Sequence, residues 1–202
     1  KKEDGIRLFH QTDEHWNEYG GLMGFKGILN VLNTDFPSLE DFDITNYKVD
    51  SSLTKGKSLV KVLKKQDEYS EMDIKVKRVS NDKSTLNRII KYPVPKPFPY
   101  KRVHQIYKSI NNEKLPKAMI IRDSFTNSFN RHLTEYFQET CLIWDAWCYE
   151  LQKEMVEKEK PDIYITIIIE SNIPFILYKH PRMRGEVEWI PADSLNKKFG
   201  YL

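Results

Sequence analysis

Lys117-Ala118-Met119-Ile120-Ile121, Cys141-Leu142-Ile143-Trp144 and Asp162-Ile163-Tyr164-Ile165-Thr166-Ile167-Ile168-Ile169 are the three apolar runs whose reading decides the fold. Short runs of this kind, rich in β-branched residues, read as strands. Between them, residues 126–139 carry Phe129, Leu133, Tyr136 and Phe137 on one helical face, and residues 149–160 carry Leu151, Met155 and Val156. Strand, helix, strand, helix, strand implies right-handed crossovers and a mainly parallel sheet covered by helices, an α/β three-layer sandwich. The unbroken apolar run 162–169 is expected to be buried on both faces. In such a sheet, reactive groups collect at the carboxyl ends of the strands.

Upstream, residues 6–11 can form a short strand. Asn17 can cap a helix running to residue 32, with Leu22, Phe25, Leu29 and Leu32 on one face. Gly20, Gly21, Gly24 and Gly27 weaken that helix but let other groups approach its backbone closely. Residues 33–56 read as loop, punctuated by Asp, Ser, Thr and Pro. A short helix over 57–65 would turn Leu59, Val60 and Leu63 inward. Ile74, Val76 and Val79, then Leu86, Ile89 and Ile90, suggest two strands, and residues 103–110 a third. The four prolines from Pro93 to Pro99 make a rigid connection. Residues 70–112 therefore read as a β-rich insert in a single domain spanning 1–202.

The chain has 202 residues, 40% hydrophobic and 30% charged, which suits one folded domain rather than a disordered or fibrous chain. Residues 55–117 hold 17 Lys and Arg against 6 Asp and Glu, or +11, so the rest of this +3 chain carries −8. A basic middle can steer anionic partners, though charge runs are usually solvated surface. RNA-binding signatures, zinc-finger spacing and basic-zipper heptads are missing, so nucleic acid is not expected. The longest aliphatic-rich run has seven residues where a bilayer span needs about 20, so no transmembrane segment is expected, and the opening Lys1-Lys2-Glu3-Asp4 does not read as a signal peptide. Two cysteines, Cys141 and Cys148, exclude a disulfide scaffold and read as buried thiols.

Chemistry concentrates in two places. Arg122-Asp123-Ser124-Phe125 follows an apolar strand and precedes a helix, so a sharp turn there exposes the Ser124 hydroxyl beside unsatisfied helix N–H groups. Read alone, Ser124 or Asp123 is more often a plain helix cap. The second place is Thr12-Asp13-Glu14-His15-Trp16-Asn17. In an extended segment Asp13 and His15 project to the same side, so Asp13 can orient the imidazole and leave its other nitrogen as a base for a serine. The bland alternative is a capping Asp13 and a surface His15.

Asp13-x-His15-Trp16-Asn17 before a glycine-bearing helix, then Arg122-Asp123-Ser124-Phe125, then Lys160-Pro161-Asp162 leading to Glu170-Ser171-Asn172, resembles the SGNH-like O-acetyltransferases. More narrowly it resembles the alginate O-acetyltransferase (AlgX/AlgJ-type) family of bacterial exopolysaccharide modification. The resemblance covers roughly residues 6–33 and 116–177, with a weaker echo at 56–69. It implies an SGNH hydrolase-like fold with permuted motif order, in which Ser124 is the nucleophile, His15 the general base and Asp13 the orienting acid. It also implies that acetyl passes through a serine acyl-enzyme to hydroxyls of an extracellular polysaccharide. A membrane-bound O-acyltransferase would supply the acetyl, outside the cytoplasm. Trp16, Arg122, Asn127 and Asn172 are the candidate substrate contacts. Arg122 stands where a glycine is usual, and Ser171 where many relatives have arginine. The chain starts one strand before Asp13, which implies a C-terminal part of a longer protein or a smaller sheet.

No metal or cofactor is expected, because His10, His104, His132 and His180 lack ligand spacing and His132 reads as surface. Trp144 and Trp147 read as core rather than sugar platforms, while Trp16 has the better claim to a cleft. Tyr92, Phe98, Tyr100 and Tyr107 can line a groove for an anionic glycan. Two rival functions remain: a carbohydrate esterase of the SGNH class, separated by acceptor competition against hydrolysis, and a non-catalytic glycan-binding subunit, whose binding would survive loss of Ser124, His15 and Asp13.

Overall fold

The computed structural model describes residues 2–3, 5–80, 83–96, 104–109, 113–144, 153–174 and 188–202. Phe98, Tyr100, Trp147, Cys148, His180 and part of the helix expected at 149–160 lie outside the described residues. The chain divides into two compact units, 1–82 with 125–133, and 83–124 with 134–202.

The first unit begins with β1 (Lys2–Glu3) and β2 (Ile6–Arg7), an antiparallel pair. Beyond β2 the chain loops out and returns, closed by a bridge between Phe9 and Trp16 and by the Asn17 N–H donating to Leu8 O (3.0 Å). Asn17 is the expected cap: its side chain accepts from Gly20 N (2.9 Å) and opens α1 (Glu18–Asp35). Leu22, Phe25 and Leu29 are fully buried, and Phe25 stacks on Phe129 at 6.2 Å. The glycines act as expected at three positions. A β-carbon on Gly20 would lie 1.9 Å from Leu8 O, one on Gly21 2.1 Å from Ser128 Oγ, and one on Gly24 2.8 Å from the Trp16 ring.

The segment expected as loop contains β3 (Tyr47–Lys55), paired antiparallel over nine residues with β4 (Ser70–Arg78). Asp50-Ser51-Ser52 hides this strand, since such residues have low strand propensity and β3 is held by its ladder rather than by a core. The helix expected at 57–65 is α2 (Ser58–Val62). Only Val60 turns inward, while Leu59 and Leu63 are exposed.

The second unit carries a mixed five-stranded sheet. Its strands are β5 (Ser84–Asn87), β7 (His104–Ser109), β8 (Ala118–Arg122), β9 (Glu139–Trp144) and β10 (Ile163–Ile167). The order is β10-β8-β9-β7-β5, with the first three parallel and the last two antiparallel. Of the stretch expected as an insert, β4 pairs with β3, and β5 and β7 extend this sheet. The short β6 (Val94–Pro95) pairs with β11 (Trp189–Ile190). Every residue of β8 is buried. Ile106, Met119, Ile121, Cys141 and Ile143 form a core against which Met155 and Val156 of α4 (Lys153–Glu159) pack. The apolar run after Asp162 departs from expectation. Ile163 is its buried member, because β10 ends the ladder among the described strands. A second core joins Ile90 and Val94 to Leu195 of the helix Ala192–Phe199, where Asn196 grips both backbone groups of Ile90 (2.8 and 2.7 Å).

The long helix expected after β8 is short. A 3-10 turn (Ser124–Ser128) leads into α3 (Asn130–Thr134), and the chain straightens to place Glu139 and Thr140 in register with Lys108 and Ala118. Ladder hydrogen bonds there replace further helical turns. His132, expected at the surface, is buried, edge-on to Tyr47 at 5.0 Å. No helix among the described residues is long and apolar enough to cross a membrane.

Two glycine substitutions in α1 should move stability in opposite directions. Gly20→Ala drives a methyl into backbone and should cost about 1–3 kcal/mol. Gly27→Ala meets nothing within 4 Å and should gain about 0.5–1 kcal/mol. Urea denaturation of both variants measures this.

Candidate active site

The loop between the Phe9 and Trp16 bridge partners holds Asp13 and His15. Asp13 Oδ1 accepts the His15 backbone N–H (2.9 Å) and contacts His15 Nδ1 (2.6 Å). The pairing is the expected one, but the backbone is not extended. The loop bends, and Asp13 makes a side-chain turn onto the residue two ahead. With Nδ1–H donated to Asp13, Nε2 is the basic nitrogen of the ring. Burial raises the Asp13 pKa, but the His15 N–H, the Ser58 hydroxyl (2.7 Å to Oδ2) and the imidazole outweigh it and hold the carboxyl at about 2. Asp13 is therefore ionised throughout the neutral range. Glu14 is exposed and accepts from Ser58 (3.0 Å). Asp13, Glu14 and His15 offer ligand atoms within 4.8 Å of one another, but Asp13 Oδ1 and His15 Nδ1 already satisfy each other.

What holds this loop was not legible in the motif. Glu71, on β4, has no exposed side-chain surface. Its Oε2 accepts from Gln11 N (2.7 Å), Thr12 N (2.8 Å) and Thr12 Oγ1 (3.0 Å). Thr12 passes the tie on: its Oγ1 accepts Lys57 N (2.8 Å) and its carbonyl accepts Leu59 N (3.0 Å). That brings Ser58 to Asp13. His10 Nδ1 stands 3.2 Å from Glu71 Oε1 and 3.9 Å from Asp73. Burial, helped by the Lys57 cation that pairs with Asp73 (2.9 Å), pulls the His10 pKa below its ordinary value despite those carboxylates. The one signal in the sequence was the alternation of Glu71, Asp73 and Lys75 along a strand.

Trp16 is half-buried. Its ring packs on Phe125 and Phe129, both at 5.6 Å, and its Nε1–H donates to Phe125 O (2.6 Å). The Phe125 ring lies against the His15 imidazole at 4.7 Å. Asn127 is exposed, farther along the same turn.

In the second unit, β8 register places Arg122 level with Trp144 of β9 and Ile167 of β10, so three parallel strands end together. Ser124 follows at this edge and is half-buried. Arg122 is neither exposed nor open to a ligand: it is 2% exposed, its guanidinium covers the Trp144 ring at 4.4 Å, and it donates to Gln105 (3.0 Å). Asp123 is buried and accepts Ile169 N (2.7 Å), tying the end of β8 to the segment after β10. That segment leads to the 3-10 turn containing Asn172, half-buried. Tyr92, expected in a glycan groove, is buried with its hydroxyl on Glu159 (2.6 Å), and burial with that carboxylate raises its pKa. Burial also pushes the Cys141 thiol up to about 12, as suits an inert core thiol.

No protein family and no curated protein matches the sequence. Solved structures do. Bacillus cereus PatB1 with a sulfonyl adduct is similar at TM-score 0.62 and 14% identity, over 82% of this chain and 61% of that one. A DHHW family protein from Eubacterium siraeum is similar at TM-score 0.58 and 11% identity, over 80% and 59%. Pseudomonas aeruginosa AlgX gives TM-score 0.42 at 12% identity, over 84% and 37%. The chain thus spans about three fifths of the first two. At these identities the likeness to PatB1 and the DHHW protein is one of fold.

Two measurements test the loop. Glu71→Leu leaves three donors without an acceptor and should cost about 2–4 kcal/mol, with faster hydrogen exchange at the Gln11 and Thr12 amides. Because the Asp13 pKa is depressed when folded, its contribution is complete above about pH 4 and disappears as pH falls to about 2. The stability gap between wild type and Asp13→Asn should be constant above that window and close within it.

Proposed function

We propose that the chain is the catalytic part of a serine-dependent O-acyltransferase that moves acetyl groups onto hydroxyls of an extracellular polysaccharide. Ser124 is the nucleophile, His15 the base and Asp13 the group that orients it. The observation that carries this reading is the tie around Phe125. Its carbonyl is held by Trp16 Nε1 and its ring by His15, which is bonded to Asp13, and Phe125 is one peptide bond from Ser124. Further support comes from the fold likeness to PatB1 and the DHHW protein. Read as residues, the letters of that family's name differ from Asp13-Glu14-His15-Trp16 only at the second position.

The chemistry balances with these three groups. Ser124 Oγ attacks the donor's acetyl carbonyl while its proton passes to His15 Nε2. Collapse of the tetrahedral intermediate breaks the bond to the donor, and His15 returns the proton to that leaving group. A sugar hydroxyl then gives its proton to His15 and attacks the acetyl-serine, and Ser124 leaves with the proton restored. Asp13, ionised at neutral pH, stabilises the imidazolium at each step. A carbohydrate acceptor, a membrane-bound acyl donor and an extracytoplasmic location follow from the family resemblance and belong to this proposal.

The test uses phenylmethylsulfonyl fluoride and p-nitrophenyl acetate. The chain should be sulfonylated at Ser124, found by peptide mass mapping, and should release acetate. Ser124→Ala should lose labelling and at least about 10³-fold of the esterase rate. Labelling elsewhere, or an unchanged rate in Ser124→Ala, overturns the assignment.

A further inference from the structure

The first unit contains a cavity of about 540 Å³ that the chemistry above does not use. Glu18, Lys77, Arg78, Asn127, Ser128 and Arg131 are on its wall. Three of these are cations. The carboxylate among them is already committed, since Glu18 accepts Val76 N (2.8 Å) and pairs with Lys75 (3.0 Å). A second observation concerns Lys77. In the β3–β4 ladder Lys48 lies opposite Lys77, and like charges in that position repel. Lys48 also reaches Asp50 at 3.4 Å, which answers part of its own charge and leaves Lys77 facing the cavity. Arg78 is anchored by Ser80 (2.8 Å) and lies over the Tyr47 ring at 5.8 Å, so its guanidinium enters the wall pre-positioned.

We propose that this cavity binds the phosphate group of a phosphorylated sugar. The charge favours that class. Three cations against one carboxylate give the wall a net of +2, and a phosphate monoester carries about −1.5 to −2 at neutral pH, whereas a uronate carries −1. Arg78 and Arg131 suit it further, because guanidinium forks take phosphate oxygens in pairs. The volume exceeds what a bare phosphate needs, and Asn127, Ser128 and Ser80 add amide and hydroxyl groups for sugar hydroxyls. Asn127 and Ser128 belong to the turn that Ser124 opens, so the ligand would rest on the element carrying the proposed nucleophile. The inference stands on the cavity and does not need the acyl-transfer reading.

Calorimetric titration of the whole chain with glucose 6-phosphate tests it, with inorganic phosphate, glucuronate and glucose as separate arms. Glucose 6-phosphate should bind saturably and more weakly as salt rises. Inorganic phosphate and glucuronate should each bind at least about tenfold more weakly, and glucose should not bind. Lys77→Gln and Arg131→Gln, both at exposed positions, should each weaken glucose 6-phosphate binding by about fivefold or more while leaving the urea midpoint within a few tenths of a molar of wild type. No saturable binding, or binding indifferent to both substitutions, overturns the proposal. Equal affinity for glucuronate overturns the phosphate assignment, and equal affinity for inorganic phosphate overturns the sugar. The titration reads binding alone, so its failure is distinct from failure of sulfonylation at Ser124.

Discussion

The first unit depends on one buried carboxylate. The Glu71 side chain has no exposed surface, and its burial is answered by three donors that converge on one oxygen and by His10 beside the other. The consequence runs both ways. β4 must present Glu71 inward, and the chain after Phe9 must curl to bring Gln11 and Thr12 onto it. Once Thr12 is fixed, its hydroxyl and carbonyl fix the start of α2, and Ser58 arrives at Asp13. The Asp13–His15 pair is therefore supported by a strand nearly sixty residues away as well as by its own side-chain turn.

The second unit obeys a different constraint. β8 lies between β10 and β9 and is wholly buried, and the register sets Arg122, Trp144 and Ile167 at one level. Burying Arg122 there would be costly without partners. Trp144, Gln105 and the Asp123 carbonyl supply them, and the Asp123 carboxylate closes the edge by holding Ile169 N. Arg122 is thus an internal brace. The same edge releases the chain into the turn that Ser124 opens.

The three parallel strands were legible because each is an apolar run bounded by turn residues, and α1 was legible because Asn17, Leu22, Phe25 and Leu29 follow cap and period rules that need no distant partner. Asp13 and His15 were legible as a pair because they are two residues apart, although the bend that joins them is not the extended geometry their spacing suggested. β3 was not legible, since Asp50-Ser51-Ser52 becomes a strand only when β4 offers a ladder. The helix expected over 126–139 failed for the converse reason: its period was present, but pairing of Glu139 and Thr140 with their neighbours competed and won.

Local rules thus settled the elements whose stability is internal, and they marked Asp13, His15 and Ser124 as candidates. Tertiary structure decided the rest. It made Glu71 the anchor of the loop, tied Trp16 to Phe125, buried Arg122 and His132, and gathered Lys77, Arg78 and Arg131 around one cavity. Each outcome depends on which distant group satisfies a polar or charged side chain, and sequence spacing carries no information about partners brought near only by the fold.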